Sequence, residues 1–159
     1  MEVFTVSLFG HREINDIWGV REQIVRLIKP LIQEKTYVTF LVGRNGEFDE
    51  CAAAAIKRVQ AEIGNENSEM TLVLPYQVAD MEAYEKYYDS IIIPEAVYGV
   101  HPKSAITRKN RWMVECSDLV IVYVEREEGG AYKAMRYAEK LKKRIVNLKD
   151  LSSTDRRPF

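Results

Sequence analysis

The chain has few of the residues that form disulfide bonds or metal sites, and it lacks long apolar runs. Its 159 residues include two cysteines, Cys51 and Cys116, and two histidines, with no spacing among them that is typical of a metal site. Two cysteines are too few for a disulfide framework, and both are predicted to be small buried apolar residues. No run of about 18 apolar residues is present, which argues against a membrane-spanning helix. The sequence therefore predicts no metal, no other cofactor and no membrane partner.

Net charge is also nearly absent. The chain has 23 Lys and Arg residues against 24 Asp and Glu residues, which gives a formal net charge of −1. There is thus no overall basic field and no strong nucleic-acid signal, and any anion site must be local. The N-terminus lacks the basic region, apolar stretch and cleavage site of a secretory signal, so the cytoplasm is the expected location.

What the sequence does contain is an alternation of apolar strands and amphipathic helices. Strands are predicted at 3–9, 36–42, 70–74, 90–94, 119–124 and 144–148, and helices at 13–34, 47–63, 81–87, 105–116 and 130–142. The strand segments are continuous β-branched runs, which is typical of a parallel sheet covered on both faces. We therefore predict one doubly wound, mostly parallel, three-layer α/β domain over residues 1–150, followed by a polar tail over 151–159.

Three predicted turns carry glycine between a strand and a helix. They are GHRE at 10–13, GRNGEFDE at 43–50 and EREEGGAYKA at 125–134. In a doubly wound sheet the ligand crevice lies beyond the carboxyl ends of the strands. Glycine lets the backbone approach a ligand, and the following helix N-terminus suits phosphate. None of the turns is a full dinucleotide fingerprint or a P-loop, so a standard dinucleotide or triphosphate site is not predicted.

The polar residues of these turns have structural alternatives. His11, taken alone, is slightly better explained as a simple turn residue. Arg12 lies at the predicted start of a helix, where the dipole disfavours a cation unless an anion is near, so a ligand role is favoured. Glu47, Asp49 and Glu50 lie in the first turn of the second helix, where acidic residues are favoured in any protein.

The fourth helix and the segment before it also have two interpretations each. Arg108, Lys109 and Arg111 bring positive charge to that helix, and taken alone they predict a solvated face. The aromatic residues of EKYYDS at 85–90 are able to stack on a base, but core or interface packing is the more common use of such residues. Aromatic and apolar residues across the 76–100 region are compatible with a homodimer. The oligomeric state stays open at this point.

These segments resemble the SLOG superfamily, named after its SMF/DprA and LOG groups and including YpsA-like proteins. The stretches that carry the resemblance are SLFGHRE, LVGRNGEFDECAA, LPY, RKNRWMVECSDLVIVYVEREEGGAYKAMRYAEK and KRIVNL, which span about residues 3–148. The most specific are the Gly-His-Arg turn, the Arg-x-Asn-Arg-x-Met helix leading into Ser-Asp, and the Gly-Gly before a helix.

The resemblance implies a Rossmann-like fold that binds a nucleotide or a nucleotide-derived small molecule. By position, the candidates on the phosphate side are Gly10, His11, Arg12, Gly129 and Gly130. The resemblance also implies that the second turn contributes Gly43, Gly46 and Asp49, and that Arg108 and Asn110 approach from the loop side.

The chain departs from the catalytic branches of that superfamily at one point. Phosphoribohydrolases carry a glutamate a few residues after their glycine turn, whereas here the first acid is Glu139, nine residues past Gly130. We therefore expect binding or sensing of a nucleotide-derived ligand, and the short length favours the same interpretation. The alternatives are an N-glycosidic-bond enzyme such as a phosphoribohydrolase, with Glu47, Asp49 or Glu50 as its carboxylate, and a structural partner with a vestigial crevice.

Overall fold

The computed structural model describes residues 2–151 as alternating strands and helices. The strands are β1 (Val3–Gly10), β2 (Tyr37–Val42), β3 (Ser68–Val73), β4 (Ser90–Ile92), β5 (Leu119–Tyr123) and β6 (Arg144–Asn147). The helices are α1 (Ile17–Glu34), α2 (Glu47–Ile63), α3 (Met81–Tyr87), α4 (Pro102–Cys116) and α5 (Gly130–Lys140). Short 3₁₀ turns occupy Glu95–Val97 and Leu148–Asp150. The predicted polar tail, apart from Leu151, lies outside the described residues.

The six strands form one parallel sheet in the order β4-β3-β2-β1-β5-β6. The chain builds outward from β1 to β4, returns through α4, and then adds β5 and β6 on the other side of β1. In the β1–β5 register Gly10 lies opposite Tyr123, so the two strands end together. The order reverses between β1 and β5, and this switch point is where doubly wound sheets bind ligands. The doubly wound fold predicted from the sequence is confirmed.

Helices cover both faces of the sheet. On one face α1 and α2 pack together, and Ile24, Ile28 and Ile56 are buried against the sheet with Phe40. The alanines that follow Cys51 are mostly buried in the same cluster, as predicted for a helix that packs closely on a sheet. On the other face α4 and α5 pack together over a second apolar cluster. The continuous apolar strands are thereby covered on both sides.

Two predicted helix starts are wrong, and both have a local cause. α1 begins at Ile17 rather than Glu13, because the Asp16 side chain accepts a hydrogen bond from the Gly19 N–H at 3.1 Å and caps the helix. α4 begins at Pro102 rather than after Ser104, with His101 as its cap. Arg12 therefore lies five residues before α1, and the argument that placed it at the start of that helix does not hold.

The two cysteines differ in their surroundings. Cys51 is buried, and this burial raises the pKa of its thiol to about 11. Cys116 is exposed at the end of α4, so the prediction of two buried cysteines is correct only for Cys51. Among residues 2–151, no helix combines the length and apolar character needed to cross a bilayer.

Candidate functional site

A cleft of about 500 Å³ opens where β1, β2 and β5 end. The turn after each of these strands forms part of its rim, and the central part of α4 forms a side wall. Eight of the ten residues predicted to bind a ligand line the cleft: Gly10, His11, Arg12, Gly43, Asp49, Asn110, Gly129 and Gly130. The other two predicted residues, Gly46 and Arg108, do not line it. The parallel sheet thus brings the three glycine turns to one edge, as predicted.

His11 connects the turn after β1 to the turn after β5. Its imidazole is buried, and Nε2 accepts hydrogen bonds from the N–H of Glu125 at 3.0 Å and of Arg126 at 3.4 Å. A ring nitrogen that accepts carries no proton, so the neutral ring is protonated at Nδ1. Burial, together with the nearby Arg126 charge, lowers the pKa of His11. His11 therefore acts as a neutral clamp between two walls of the cleft.

Gly10 and Gly46 are required for packing rather than for approach to a ligand. A Cβ on Gly10 would overlap the Phe48 ring, which is fully buried beneath the turn. A Cβ on Gly46 would overlap the backbone of Arg12. These two glycines let the first turn of α2 lie directly against the turn after β1.

The backbone of Arg12 is held by a hydrogen bond, whereas its side chain is exposed to solvent. Its carbonyl accepts the N–H of Glu47, the first residue of α2, at 2.8 Å. The side chain is exposed and lines the cleft, whereas Glu47 does not line it. Arg12 is thus placed beside the N-terminus of α2 and not at that of α1.

Lys109 is a cleft residue that the sequence analysis assigned to a solvated face. Its side chain is only 3% exposed and lines the cleft. A Cβ on Gly43 would lie 3.3 Å from Lys109 Nζ and 3.1 Å from Asp49 Oδ2, so both polar atoms lie over the same glycine. Within residues 2–151, the Lys109 ammonium makes no hydrogen bond. A lysine side chain that is almost wholly buried is rare in folded proteins. The Lys109 Nζ atom is not one of the fully buried atoms without a hydrogen bond in residues 2–151, so it keeps a small accessible surface at the cleft.

A signal for Lys109 was present in the helical spacing. Ile106, Lys109, Asn110 and Met113 recur at intervals of three and four residues and line the cleft together. Lys109 shares this stripe with Met113, which is fully buried, whereas Arg108 lies on the exposed side of the helix. Because Lys109 stands next to Arg108 and close to Arg111, it was assigned to a solvated face in spite of this spacing.

Asp49 and Lys109 influence each other's ionisation. Burial raises the pKa of Asp49, and this effect is opposed by the hydrogen bond that Oδ2 accepts from the Asn45 N–H at 2.7 Å and by the Lys109 charge. Burial likewise lowers the pKa of Lys109, against the attraction of Asp49. The nearby Arg44 charge lowers the pKa of Lys109 further, although Arg44 does not itself line the cleft.

The turn after β5 supplies the opposite wall. Gly129 has φ of 91° with open space where a Cβ would lie, so here glycine is needed for its conformation and leaves the backbone accessible. Gly130 begins α5, whose first N–H groups have no intrahelical partner. Arg126 and Glu128 also line the cleft and form an ion pair at 3.7 Å. Glu139 pairs with Arg136 and does not line the cleft.

The Ser-Asp pair after α4 has a structural role. The hydroxyls of Ser7 and Ser117 lie 2.6 Å apart, and both are within hydrogen-bond distance of the Met113 carbonyl. Asp118 Oδ2 accepts the N–H of Thr5 at 2.8 Å. These bonds join the end of α4 to the middle of β1, far along the helix from Lys109.

Two solved structures share this fold. One is DNA processing protein A (DprA) from Streptococcus pneumoniae, with 15% identity and a TM-score of 0.63, covering 92% of this chain and 52% of the other. The second is the Helicobacter pylori DprA, described for its single-stranded DNA binding mode, with 16% identity and a TM-score of 0.60, covering 96% of this chain and 70% of the other. The chain therefore shares a Rossmann-like fold with these two proteins, as the resemblance implied, and it spans about half the length of the first.

No family model and no curated protein matches the chain. At this level of identity the two structures establish the fold, and the function has to be argued from the cleft itself.

Proposed function

We propose that the protein binds a nucleotide-derived small ligand in the cleft, with a phosphate of the ligand against Lys109. The observation that carries this proposal is the Lys109 side chain, which is almost wholly buried, lines the cleft and has an ammonium that makes no hydrogen bond within residues 2–151. A phosphate oxygen would give the ammonium the charge-assisted hydrogen bond that the described residues do not supply.

The remaining walls suit the same anion. The N-terminus of α5 presents free N–H groups behind Gly129, and the positive end of a helix dipole favours phosphate. The exposed guanidinium of Arg12 reaches the cleft from the other side and can bind a phosphate with two parallel hydrogen bonds. A volume of about 500 Å³ is within the range of small-molecule sites.

A second candidate function is cleavage of an N-glycosidic bond, which was the alternative from the sequence. It is supported by one observation: Asp49 places a carboxylate in the cleft beside Lys109. Such enzymes use a carboxylate against the positive charge that develops at the anomeric carbon. The Asp49 carboxylate already accepts the Asn45 N–H, and Glu47 lies outside the cleft. Binding without cleavage is therefore the favoured proposal.

Calorimetric titration with nucleoside monophosphates of each base separates these functions when each mixture is also assayed for free base. We expect heat of binding for at least one nucleotide and no base release. Release that disappears in Asp49→Asn and persists in Glu47→Gln would replace the binding proposal by the enzymatic one. Absence of binding across the panel would contradict both. A single-stranded DNA oligonucleotide belongs in the panel, because the Helicobacter pylori structure is described as binding such DNA.

We further propose that the protein acts as a homodimer in the cytoplasm. Several large apolar side chains between residues 76 and 100 are exposed: Tyr76, Tyr87, Ile92 and Tyr98. Ile92 belongs to β4, an edge strand of the sheet. Light scattering on the purified protein gives the mass directly, and a monomer at micromolar concentration would contradict the dimer.

A further inference from the structure

A second groove lies between α4 and α5, next to the cleft. Its volume is about 440 Å³, and it shares Ile106, Asn110 and Gly130 with the cleft. The shared residues lie around the middle of α4 and at the start of α5 and form the boundary between the two spaces, so a ligand that crosses this boundary contacts both.

The groove is strongly positive. Four cationic side chains line it, and within the described part of the chain no acidic side chain does: Arg111, Lys133, Arg136 and Lys140. Lys133, Arg136 and Lys140 are spaced by three and four residues and so lie on one face of α5. Arg136 pairs with Glu139 at 3.3 Å, whereas Lys133 and Lys140 are exposed and have no ion pair among residues 2–151. In a chain with a net charge of −1, this is a local concentration of unneutralised charge.

Two tyrosines accompany the cations. Tyr132 and Tyr137 both line the groove and are partly buried. Tyr137 is held in place, because its hydroxyl donates to Glu115 at 2.5 Å and the Arg111 guanidinium lies over its ring at 5.1 Å. Tyrosine rings beside cationic side chains bind nucleotides by stacking on the base while the cations contact phosphate.

We infer that the ligand of this protein extends beyond one nucleotide, with a second nucleotide unit in the groove between α4 and α5. The ligand class is a dinucleotide with a terminal phosphate: that phosphate binds at Lys109, and the second phosphate binds near Lys133 and Lys140. The inference rests on the proposed function, since the cleft must hold the first phosphate. A mononucleotide would fill the cleft and leave the groove without an anion.

The test compares one mononucleotide with its own 5′-phosphorylated dinucleotide, for example thymidine 5′-monophosphate with pTpT, by calorimetric titration. The panel is repeated with each base, and the pair whose mononucleotide binds is used. The unmodified protein should bind the dinucleotide at least about tenfold more tightly, as expected for one added charge-assisted contact. The double variant Lys133→Ala/Lys140→Ala should lose that gain and keep its affinity for the mononucleotide.

The matched control is Lys86→Ala/Lys149→Ala, which removes the same charge from exposed positions that line neither the cleft nor the groove. At about 0.15 M salt, charges beyond roughly 8 Å are screened, so this control should bind both ligands as the parent does. Equal affinity for mononucleotide and dinucleotide, or an unchanged gain in Lys133→Ala/Lys140→Ala, would overturn the inference and leave the proposed function standing. Failure of both ligands to bind would overturn the inference together with the proposed function.

Discussion

Two positions along α4 hold buried polar side chains in opposite ways. At the C-terminal end, Ser117 lies against Ser7 and the Met113 carbonyl, and these polar atoms hydrogen-bond to one another. In the middle of the helix, the Lys109 side chain is also buried, yet its ammonium makes no hydrogen bond within residues 2–151. Satisfied buried polar groups stabilise a fold, whereas an unsatisfied one costs free energy that some other property of the protein must justify. The first group is structural, and for the second we propose a role in binding a ligand.

The largest expected effect on stability is at the satisfied end. Ser117→Ala removes a buried hydroxyl and leaves Ser7 with fewer partners, which should lower the free energy of unfolding by about 1–3 kcal/mol. Urea denaturation measures the loss, and nucleotide affinity should stay at the parent value. A free energy of unfolding equal to that of the parent would remove the contrast between Ser117 and Lys109.

Lys109, in the middle of α4, should respond to substitution in the opposite sense. Replacing both charges of the cleft floor, as Lys109→Met/Asp49→Asn, removes two desolvated groups while Asn keeps an acceptor for the Asn45 N–H. Exchanging a buried charge pair for neutral residues of similar size is often neutral or stabilising. We expect a free energy of unfolding at or above that of the parent in the same urea experiment. A loss as large as that of Ser117→Ala would mean that Lys109 and Asp49 serve the fold.

A pH dependence should come from the His11 clamp. Because its pKa is lowered in the folded protein, the neutral ring favours folding above its ordinary value of 6.5, and this contribution is lost as the pH falls through the folded-state pKa. Thermal melts of the parent between pH 8 and 5 should show this loss. His11→Gln keeps a neutral acceptor for the backbone N–H groups and should show a shallower decline, since the remaining titrating groups are common to both proteins. If the melting temperatures of the parent and His11→Gln fell equally with pH, the proposed role of the neutral His11 ring would be contradicted.

The smallest effect on stability is expected for Arg12→Ala. The side chain is exposed, so its removal should change the free energy of unfolding by no more than about 0.5 kcal/mol. Nucleotide affinity should nevertheless fall by roughly tenfold or more, because a charge-assisted contact to phosphate is lost. Unchanged affinity would show that Arg12 does not face the ligand.

The sequence predicted the fold well because the fold depends on periodicity. Apolar β-branched runs such as residues 119–123 alternate with amphipathic helices, and the edge of the sheet at which the three turns meet follows from parallel topology alone. α2 was predicted with its observed bounds, since acidic residues begin it and Gly64 ends it. The starts of α1 and α4 were missed because Asp16 and His101 cap them through local hydrogen bonds that a periodic pattern does not contain.

The site was harder to predict, because the same residue type serves packing and binding. At Gly10 and Gly46 a Cβ would overlap Phe48 and the Arg12 backbone, so packing requires glycine there. At Gly129 the positive φ requires it. Lys109 stands among neighbouring cations. Its helical spacing with Ile106 and Met113 distinguishes it from Arg108, but only the position of α4 relative to Gly43 shows that it lies at the cleft. Both the role of each glycine and the position of Lys109 depend on distances between segments that are far apart in the sequence, which a local pattern does not contain.

The central claim, that Lys109 binds a phosphate of the ligand, is tested most directly by a thermodynamic cycle. A nucleoside monophosphate and the nucleoside that lacks the phosphate are titrated into the parent and into Lys109→Met, with Lys86→Met as the charge-matched control. The account predicts that the parent and the control prefer the nucleotide, and that Lys109→Met loses about 1.5–3 kcal/mol of that preference. A preference in Lys109→Met equal to that of the parent would contradict the account.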